Sequence, residues 1–506
     1  MLTYKFSKKF IYSNFTNISI LKCFYLLRFK ENSIVLDKKT KYSQNSAGKC
    51  GVSIIRVSGA NTLGALRAVV GPNFTPKPRY AFLRTLHDPQ SEEVIDRGLI
   101  LFKFLGPNSF TGEDSCEFQV HGSLAVIDAM LQALAKVPGL RHAKPGEFTK
   151  RAFFNGKLDL TEVDGLADLI HAETEAQRKQ ALLQSSGVLS RLYKSWREKL
   201  IRCVAHLEAY IDFAEDENIE DDTIEKLKGN LNQLLEEILH HLDDNRRGEM
   251  LRDGVKTAII GAPNVGKSSL LNLICQRKIA IVTSIAGTTR DIIESSYNIG
   301  GYPIVFADTA GLRNQTEDVI ELEGINKAKE YLECTDLILL VVDALNLFDE
   351  IRKGGDVNSY LKKYTNALGI KAAVLENKSV IYICNKIDLL KENEIKRLHS
   401  VKDLLPISCK ENINSEMLFK LFCFYRCGNP TAENPRLTQS RYRHHLTDCT
   451  VHLQDFLDYY SPDENLDLAI AAQRLRKCVR CIEQITGDVS TDEILDVIFR
   501  DFCIGK

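Results

Sequence analysis

Apolar and polar positions alternate over several short stretches in the first third of the chain. This period of two is typical of half-buried β-strands, and a run with helical spacing follows it. The pattern predicts an α+β module of about 100 residues with polar side chains gathered at the strand ends. The predicted strands and helix are, in order, 51–58, 98–104, 116–121 and 125–134.

From about residue 160 the apolar residues recur every three or four positions. One stripe consists of Leu189, Leu192, Trp196, Leu200, Val204, Leu207 and Ile211, and a second of Ile224, Leu227, Leu231, Leu234, Ile238 and Leu242. Such stripes are typical of long amphipathic helices that bury one face, so both are interpreted as core. The acidic stretch 215–222 between them is interpreted as a solvated loop. A further helical pattern runs from 441 to about 486.

A different pattern fills the middle of the chain. Short apolar runs, each followed by polar or glycine residues, are typical of buried strands in a parallel sheet. With the helical segments between them, they predict a doubly wound α/β domain. The runs lie at 257–260, 304–307, 337–342, 380–384 and 404–407.

The composition is that of an ordinary globular protein. Its 506 residues suggest roughly three domains, and its apolar and charged fractions are 44% and 26%. A net charge of −1 argues against an overall polyanion-binding surface, so any contact with RNA must be local. The 14 cysteines lack a short disulfide framework and are interpreted as reduced thiols. No run approaches about 18 continuous apolar residues, so no membrane span is expected.

The stretch from Gly261 to Ser269 has the spacing G-x-x-x-x-G-K-S between a predicted strand and a predicted helix. This setting distinguishes a phosphate-binding loop from a glycine-rich turn, because backbone N–H groups wrap the phosphates and the helix presents its positive end. Lys267 is predicted to reach the β- and γ-phosphates, and Ser268 to bind Mg²⁺. The predicted nucleotide contacts of the loop are Asn264, Val265, Gly266, Lys267, Ser268 and Ser269.

Three later motifs, each after a predicted strand, indicate which nucleotide is bound. In Asp308-Thr309-Ala310-Gly311 the carboxylate can hold Mg²⁺ through water and the glycine can face the γ-phosphate. In Asn385-Lys386-Ile387-Asp388 the last carboxylate can accept from both the N1–H and the 2-amino group of guanine, which adenine lacks. Ser408-Cys409-Lys410 is placed to pack on the base. The order of these motifs predicts a GTP site.

The loop between the first two of these motifs contains a candidate switch. Thr289 is predicted to bind Mg²⁺ and to be ordered by the γ-phosphate. Leu312 stands where a Ras-type enzyme has a glutamine, and an apolar side chain cannot orient water, so hydrolysis needs another charge stabiliser. Glu321 is a candidate for positioning the water. The predicted nucleotide contacts in this loop are Thr283, Ser284, Ile285, Ala286, Gly287, Thr288 and Thr289.

Together these motifs resemble the G region of the tRNA uridine-modification GTPases, the MnmE or TrmE family. The resemblance implies a potassium-dependent enzyme in which K⁺ stands in for an arginine finger, with Glu321 as a catalytic residue. It also implies that G domains of two subunits close face to face on GTP. The potassium ligands it implies are Asn264, Thr283, Ile285 and Thr288.

The N-terminal region resembles the same family. Segments 107–114, 121–122 and 144–153 are similar to its folate-binding domain. The resemblance implies that a tetrahydrofolate derivative is bound there, and that the domain pairs two subunits into a homodimer. The folate contacts it implies are Arg56, Glu117, Lys157 and, from the end of the chain, Lys506.

The chain ends in Phe502-Cys503-Ile504-Gly505-Lys506, which is similar to the family's cysteine-containing tail. The resemblance implies that Cys503 is catalytic in tRNA modification, and neighbouring Lys506 could favour its thiolate. Four other cysteines are candidate ligands of a zinc site. Their separation in sequence differs from usual zinc spacings and all four lie in helical pattern, which argues against such a site. They are Cys423, Cys427, Cys478 and Cys481.

The predicted fold is multidomain, α/β and α. It comprises an N-terminal α+β folate-binding domain, a helical bundle, and a P-loop G domain, Ras-like and doubly wound, inserted in the bundle. Residues 1–30 carry six Lys/Arg and no acidic residue, which predicts a mitochondrial transit peptide and a matrix location; a disordered N-terminus is the alternative. The predicted segments are transit peptide 1–45, folate domain 46–158, helical domain 159–250 and 429–506, and G domain 251–428.

The resemblance implies a GTPase that, with a flavoprotein of the MnmG type, installs an aminomethyl-type group on the wobble uridine of tRNA. Reduced folate would supply the one-carbon unit, and the amine would be taurine in animal mitochondria or glycine or ammonium in bacteria. The alternative is a ribosome-assembly or RNA-chaperone GTPase, whose G domain would look much the same because fold does not settle function.

Overall fold

The structure is a computed structural model. It describes residues 32–36, 50–213, 222–244, 246–276, 281–284, 294–299, 301–307, 335–370, 378–398, 401, 404–418, 436–459 and 468–487. The chain divides into two compact units, the first of residues 1–170, 182–232 and 451–506 and the second of 171–181 and 233–450.

The described elements follow one another along the chain as two sheets separated and followed by helices. The elements up to the second sheet are β1 Asn32–Leu36, β2 Cys50–Ser58, α1 Thr62–Val70, β3 Ala81–His87, β4 Val94–Phe104, β5 Ser115–Gly122, α2 Leu124–Ala135, β6 Leu140–His142, α3 Glu147–Phe154, α4 Leu160–His171, α5 Glu175–Ser185, α6 Val188–Phe213, α7 Asp222–Leu242 and α8 Arg247–Asp253. The remainder are β7 Val255–Ile260, α9 Lys267–Gln276, β8 Ile281–Ser284, β9 Glu294–Ile299, β10 Tyr302–Ala307, β11 Leu337–Asp343, α10 Ala344–Arg352, α11 Val357–Ala367, β12 Ser379–Asn385, α12 Glu392–Leu398, β13 Leu404–Pro406, α13 Ser440–Tyr459 and α14 Leu468–Thr486.

The first unit begins with a six-stranded sheet in the order β3-β4-β5-β2-β1-β6. Its core is built from alternate residues of the strands, such as Ile55 and Phe118, together with Leu66 of α1 and Met130 of α2, all fully buried. The alternation seen in the sequence puts one face of β2 and of β5 into this core, as expected for a half-buried sheet. The predicted α+β module is therefore confirmed.

Strand β1 extends this sheet from a part of the chain where the sequence pattern does not predict it. It pairs antiparallel with β2 and parallel with β6. Because β1 lies inside segment 1–45, the sheet begins before the predicted domain boundary at residue 46. A strand of five residues is too short to give a clear alternating pattern, so the sequence alone does not identify β1 as a strand.

Helices α6 and α14 of the first unit pack against each other. On α6, four residues of the first apolar stripe are buried as predicted: Leu189, Trp196, Leu200 and Leu207. The prediction is wrong for Ile211, which is 37% exposed near the end of the helix. Two ion pairs join the helices at their margins: Arg197 to Glu483 at 2.6 Å, and Arg476 to Glu208 at 2.5 Å. The second stripe lies on α7, where the following residues are buried: Leu227, Leu231, Leu234 and Ile238.

The second unit contains a seven-stranded sheet in the order β13-β12-β11-β7-β10-β9-β8. The five strands from β13 to β10 run parallel, and β9 and β8 are antiparallel additions. All seven residues of β11 are buried, and separate apolar clusters cover the two faces of the sheet. Burial on both faces explains why the strands read as continuous apolar runs. The predicted multidomain α/β and α class is confirmed.

None of the described helices is both long enough and apolar enough to cross a bilayer. Of the four cysteines weighed as zinc ligands, Cys478 is buried in α14 and its Sγ donates to Arg474 O at 3.4 Å. Cys423 and Cys427 lie outside the described residues.

Candidate nucleotide-binding site

The phosphate loop lies where β7 ends and α9 begins. Residues 261–266 form the turn, and Lys267 opens the helix, so the N–H groups of its first turn face the loop. Asn264 and Gly266 both have positive φ angles, 60° and 97°. At Gly266 a Cβ would lie 2.2 Å from Asn385 Nδ2, so glycine is required there by both the backbone angle and the neighbouring side chain.

Lys267 is held against the loop that it follows. Its Nζ donates to Gly261 O and Ala262 O, each at 2.8 Å. Ser268 and Ser269 follow in the first turn of α9 and are exposed, whereas Val265 is buried. The loop therefore combines a cation, two hydroxyls and helix N–H groups on one rim, which is the chemistry of a site for phosphates and Mg²⁺.

The Asn385–Asp388 motif, which begins at the end of β12, is bonded directly to this loop. Asn385 is buried, and its Nδ2 donates to Val265 O at 2.9 Å. Its Oδ1 accepts from Cys409 N at 3.1 Å. One side chain thus joins the phosphate loop to the Ser408-Cys409-Lys410 motif, so the phosphate loop, the Asn385–Asp388 motif and this third motif lie together.

Asp388 lies just beyond, in a short 3₁₀ turn at Ile387–Leu389, and is half-buried. Ser408, which is fully buried, donates its hydroxyl to Asp388 Oδ1 at 2.6 Å. Burial and the Asp388 charge raise the pKa of Cys409 to about 11, so this thiol stays protonated at neutral pH. An oriented carboxylate beside a neutral thiol and backbone N–H groups fits recognition of guanine.

Two residues that contact the predicted motifs were not assigned by sequence reasoning. Asp343, at the end of β11, accepts from Lys386 Nζ at 2.6 Å and also caps α10 through Leu345 N. Tyr364 of α11 contacts the phosphate loop with its hydroxyl. The sequence could have indicated Asp343, because it is a carboxylate at the end of a predicted strand. Nothing in the local sequence distinguishes Tyr364 from other helix residues.

Several predicted residues lie outside the described part of the site. Thr283 and Ser284 belong to β8, whose backbone alone is described there. The remaining residues are not described: Ile285, Ala286, Gly287, Thr288, Thr289, Asp308, Thr309, Ala310, Gly311, Leu312, Glu321, Cys503 and Lys506. Their roles in switching, hydrolysis, potassium binding and folate chemistry stay predictions.

A separate polar cluster lies in the N-terminal sheet. Arg56 of β2 and Glu117 of β5 are opposite each other in register, and Arg56 Nε lies 2.8 Å from Glu117 Oε1. Arg56 is 6% exposed, so this cation is held in a largely dry setting. Lys157 Nζ donates to Pro107 O at 2.9 Å, which brings the third predicted folate residue to the 107–114 loop.

The 107–114 loop contacts both strand β2 and the end of helix α3. Thr111 shares a 2.8 Å hydrogen bond with Ser58, and its carbonyl accepts from Asn155 Nδ2 at 2.6 Å. Two buried hydroxyls in the same motifs, on Ser109 and Thr149, have no hydrogen-bond partner. Buried polar groups without partners are uncommon in folded proteins and fit a site that receives a polar ligand.

Comparison with known proteins identifies the family. A family model described as the MnmE helical domain matches residues 160–503, and a model described as the GTP-binding protein TrmE N-terminus matches residues 42–157. Among solved structures, the chain is similar to Era from Aquifex aeolicus bound to GDP·AlF₄⁻, with 22% identity and a TM-score of 0.24 over 48% of this chain and 88% of that one.

Curated relatives match nearly the whole chain. The mitochondrial 5-taurinomethyluridine-[tRNA] synthase subunit GTPB3 of Danio rerio is 47% identical over 92% of this chain and 93% of its own length, and that of Homo sapiens is 44% identical over 91% of each. The tRNA modification GTPase MnmE of Rickettsia bellii is 43% identical over 92% of this chain and all of its own length. Since the models and the relatives agree with the nucleotide site, the chain belongs to the MnmE/TrmE family of GTPases.

Proposed function

We propose that this GTPase drives modification of the wobble uridine of tRNA. With a flavoprotein partner of the MnmG type, it installs a 5-aminomethyl-type group, taurinomethyl or carboxymethylaminomethyl, from a folate one-carbon unit. One observation carries the proposal: relatives named for 5-taurinomethyluridine synthesis or tRNA modification match at least 91% of this chain and of their own lengths.

The nucleotide and Mg²⁺ are assigned to the second unit. Lys267 and the N–H groups of the loop bind the phosphates, Ser268 binds Mg²⁺, and Asp388 accepts from guanine. The exposed hydroxyl of Ser268 and the Ser408–Asp388 hydrogen bond support this assignment. Thr289 and Asp308 complete the metal site in the proposal.

Hydrolysis is proposed to depend on K⁺. Because Leu312 cannot orient water, positive charge for the transition state comes from the cation, and Glu321 positions the water. The left-handed backbone at Asn264 and its exposed side chain support a ligand role for this residue. The other potassium ligands in the proposal are Thr283, Ile285 and Thr288. Replacing K⁺ with Na⁺ should strongly lower turnover, and equal rates in the two salts would refute this part.

The folate site is proposed at the Arg56–Glu117 cluster. A pterin ring carries an N–H next to an amino group, the same donor pair as guanine, and a carboxylate such as Glu117 can accept from both. The buried hydroxyls of Ser109 and Thr149 offer further partners, and Lys157 offers a cation. When bound, the folate supplies the one-carbon unit, and Cys503 and Lys506 act beside it in the proposal.

The domain arrangement and location complete the proposal. The helical domain is formed by 159–250 and 429–506 with the G domain inserted between them, and the packing of α6 on α14 supports this arrangement. The N-terminal domain forms a homodimer, and the G domains pair transiently on GTP. The chain works in the mitochondrial matrix, in line with relatives named as mitochondrial.

The central experiment is mass analysis of wobble uridines in tRNA from cells lacking this protein. Modified uridine should disappear and return with the wild-type chain. The Cys503→Ser variant should hydrolyse GTP at the normal rate without restoring modification. Unaltered anticodon nucleosides in the deletion strain, together with failure of the purified chain to bind 5-formyl-tetrahydrofolate, would instead favour a ribosome-assembly or RNA-chaperone GTPase.

A further inference from the structure

The hydroxyl of Tyr364 lies between the phosphate loop and strand β11. It accepts a hydrogen bond from Ala262 N at 2.7 Å and donates one to Val341 O at 2.8 Å. Tyr364 is on α11, 102 residues from the loop in sequence, so this contact depends on the tertiary fold alone. A single hydroxyl therefore anchors the beginning of the loop to strand β11, which lies beside β7 inside the sheet.

The peptide group between Gly261 and Ala262 is held from both sides. Its N–H, on Ala262, donates to the tyrosine, and its carbonyl, on Gly261, accepts from Lys267 Nζ at 2.8 Å. Since a peptide group is planar, fixing its N–H also fixes the direction of its carbonyl. The position of the Lys267 ammonium is thereby coupled to the position of the Tyr364 hydroxyl.

Close packing leaves the loop little freedom to adjust without this hydroxyl. A Cβ at Gly261 would lie 2.4 Å from Val341 O and 3.3 Å from Tyr364 Oη. Burial raises the pKa of the Tyr364 phenol above its ordinary value of 10, so it remains protonated and able to donate at physiological pH. Its ring stacks on Tyr360 with centroids 5.9 Å apart, which fixes the ring plane.

We propose that Tyr364 is a positioning residue for GTP binding and hydrolysis, acting by fixing the Gly261–Ala262 peptide group and through it the Lys267 ammonium. The hydroxyl lies outside the sequence motifs that bind the nucleotide, so its role is separate from theirs. The proposal concerns the nucleotide site alone and holds whether or not tRNA is the substrate of the coupled chemistry.

The test uses the full chain and the Tyr364→Phe variant, which removes only the hydroxyl. We expect the dissociation constant for GDP, measured by displacement of a fluorescent GDP analogue, to rise about 5- to 20-fold, which is the effect of one or two hydrogen bonds. The turnover number of GTP hydrolysis should fall with it, because Lys267 also contacts the transferred phosphate. Tyr360→Phe is the matched control, one helical turn away, and should stay within twofold of wild type.

A double-mutant cycle distinguishes two roles for Tyr364: positioning the Lys267 ammonium, or only stabilising the packing of α11. If Tyr364 acts through Lys267, the fold-change caused by Tyr364→Phe should be much smaller in a Lys267→Ala background. The same fold-change in both backgrounds would overturn the proposal, as would a GDP affinity of Tyr364→Phe equal to wild type. If Tyr364→Phe also lowers the unfolding temperature, the cycle still distinguishes the two roles. A purely structural effect would change the GDP dissociation constant by the same factor with Lys267 and with Lys267→Ala.

Discussion

The side chain of Asn385 bonds to Val265 O through Nδ2, at 2.9 Å, while its Oδ1 accepts from Cys409 N. The amide thus fixes the distance between the loop proposed to bind phosphates and the loop proposed to pack on the base. A nucleotide bound as proposed would contact both loops at once, so its affinity would depend on their being held at the correct separation before it binds.

Asn385→Ala should therefore weaken GDP and GTP alike. The change removes two hydrogen bonds and leaves the Val265 carbonyl without its donor, at a cost of about 1–3 kcal/mol. That corresponds to roughly a 5- to 150-fold rise in both dissociation constants, measurable by calorimetry. Asn366→Ala, at an exposed position on α11, is the control and should bind as wild type does. An effect confined to GTP would contradict the bridging role.

Asp388→Asn should change the base that is bound. An amide cannot accept from both donors of guanine, but it can donate to the 2-oxo group of xanthine, so affinity for GTP should fall by at least about 100-fold and affinity for XTP should rise. Nucleotide competition assays with both triphosphates check this expectation. Ser408→Ala, which removes the hydroxyl that orients Asp388, should cost about 1 kcal/mol without changing the preferred base.

Arg443 should contribute far more to stability than another arginine with similar contacts. It donates to Glu249 Oε1 at 2.8 Å, to Leu242 O at 2.8 Å and to Asp244. Glu249 is 4% exposed and also pairs with Arg246, whose Nε lies 2.9 Å from Glu249 Oε2. Arg443→Met would therefore remove one of the two arginines of this buried carboxylate, together with the arginine that pairs with Asp244, and cost about 3 kcal/mol. Arg476 pairs with Glu208 at the surface, and Arg476→Met should cost about 0–1 kcal/mol.

Thermal unfolding of the two methionine variants gives the comparison directly. A large drop in the unfolding temperature is expected for Arg443→Met and almost none for Arg476→Met. Equal drops would mean that burial of the Arg443 cluster does not determine its contribution.

Much of the site could be predicted because its chemistry fixes its spacing. A loop that wraps phosphates needs glycine and lysine at set intervals after a strand, so the Gly261–Ser269 stretch was recognisable without the fold. The buried strand β11 was equally clear, because burial on both faces requires a continuous apolar run. In these cases one short segment contains the whole signal.

The contacts that support the site could not be predicted, because they join segments far apart in sequence. Tyr364 reaches a loop 102 residues away, and Lys386 reaches Asp343 across 43. Neither tyrosine nor aspartate at these positions differs locally from an ordinary helix or strand-end residue. Strand β1 could not be predicted for a related reason. Its five residues form a strand because they pair with β2 and β6, and this pairing is not visible in the local sequence.

Acidification should destabilise the second unit through His241. This side chain is 8% exposed, and burial lowers its pKa from 6.5 to about 4, with nearby Arg443 and His240 adding to the effect and Asp244 opposing it. In the fold His241 is therefore neutral at pH 5 to 7, whereas in the unfolded chain it binds a proton below about 6.5.

The sign follows from this difference in proton uptake. The stability that His241 contributes is fully present above pH 6.5 and is lost as the pH falls towards 4, with a loss of about 2 kcal/mol by pH 5. The unfolding temperature of wild type should drop more between pH 7.5 and 5 than that of His241→Asn. His444, whose side chain is 73% exposed, is the control, and His444→Asn should follow wild type. Parallel pH profiles for wild type and His241→Asn would show that the buried imidazole is not the group that responds to acid.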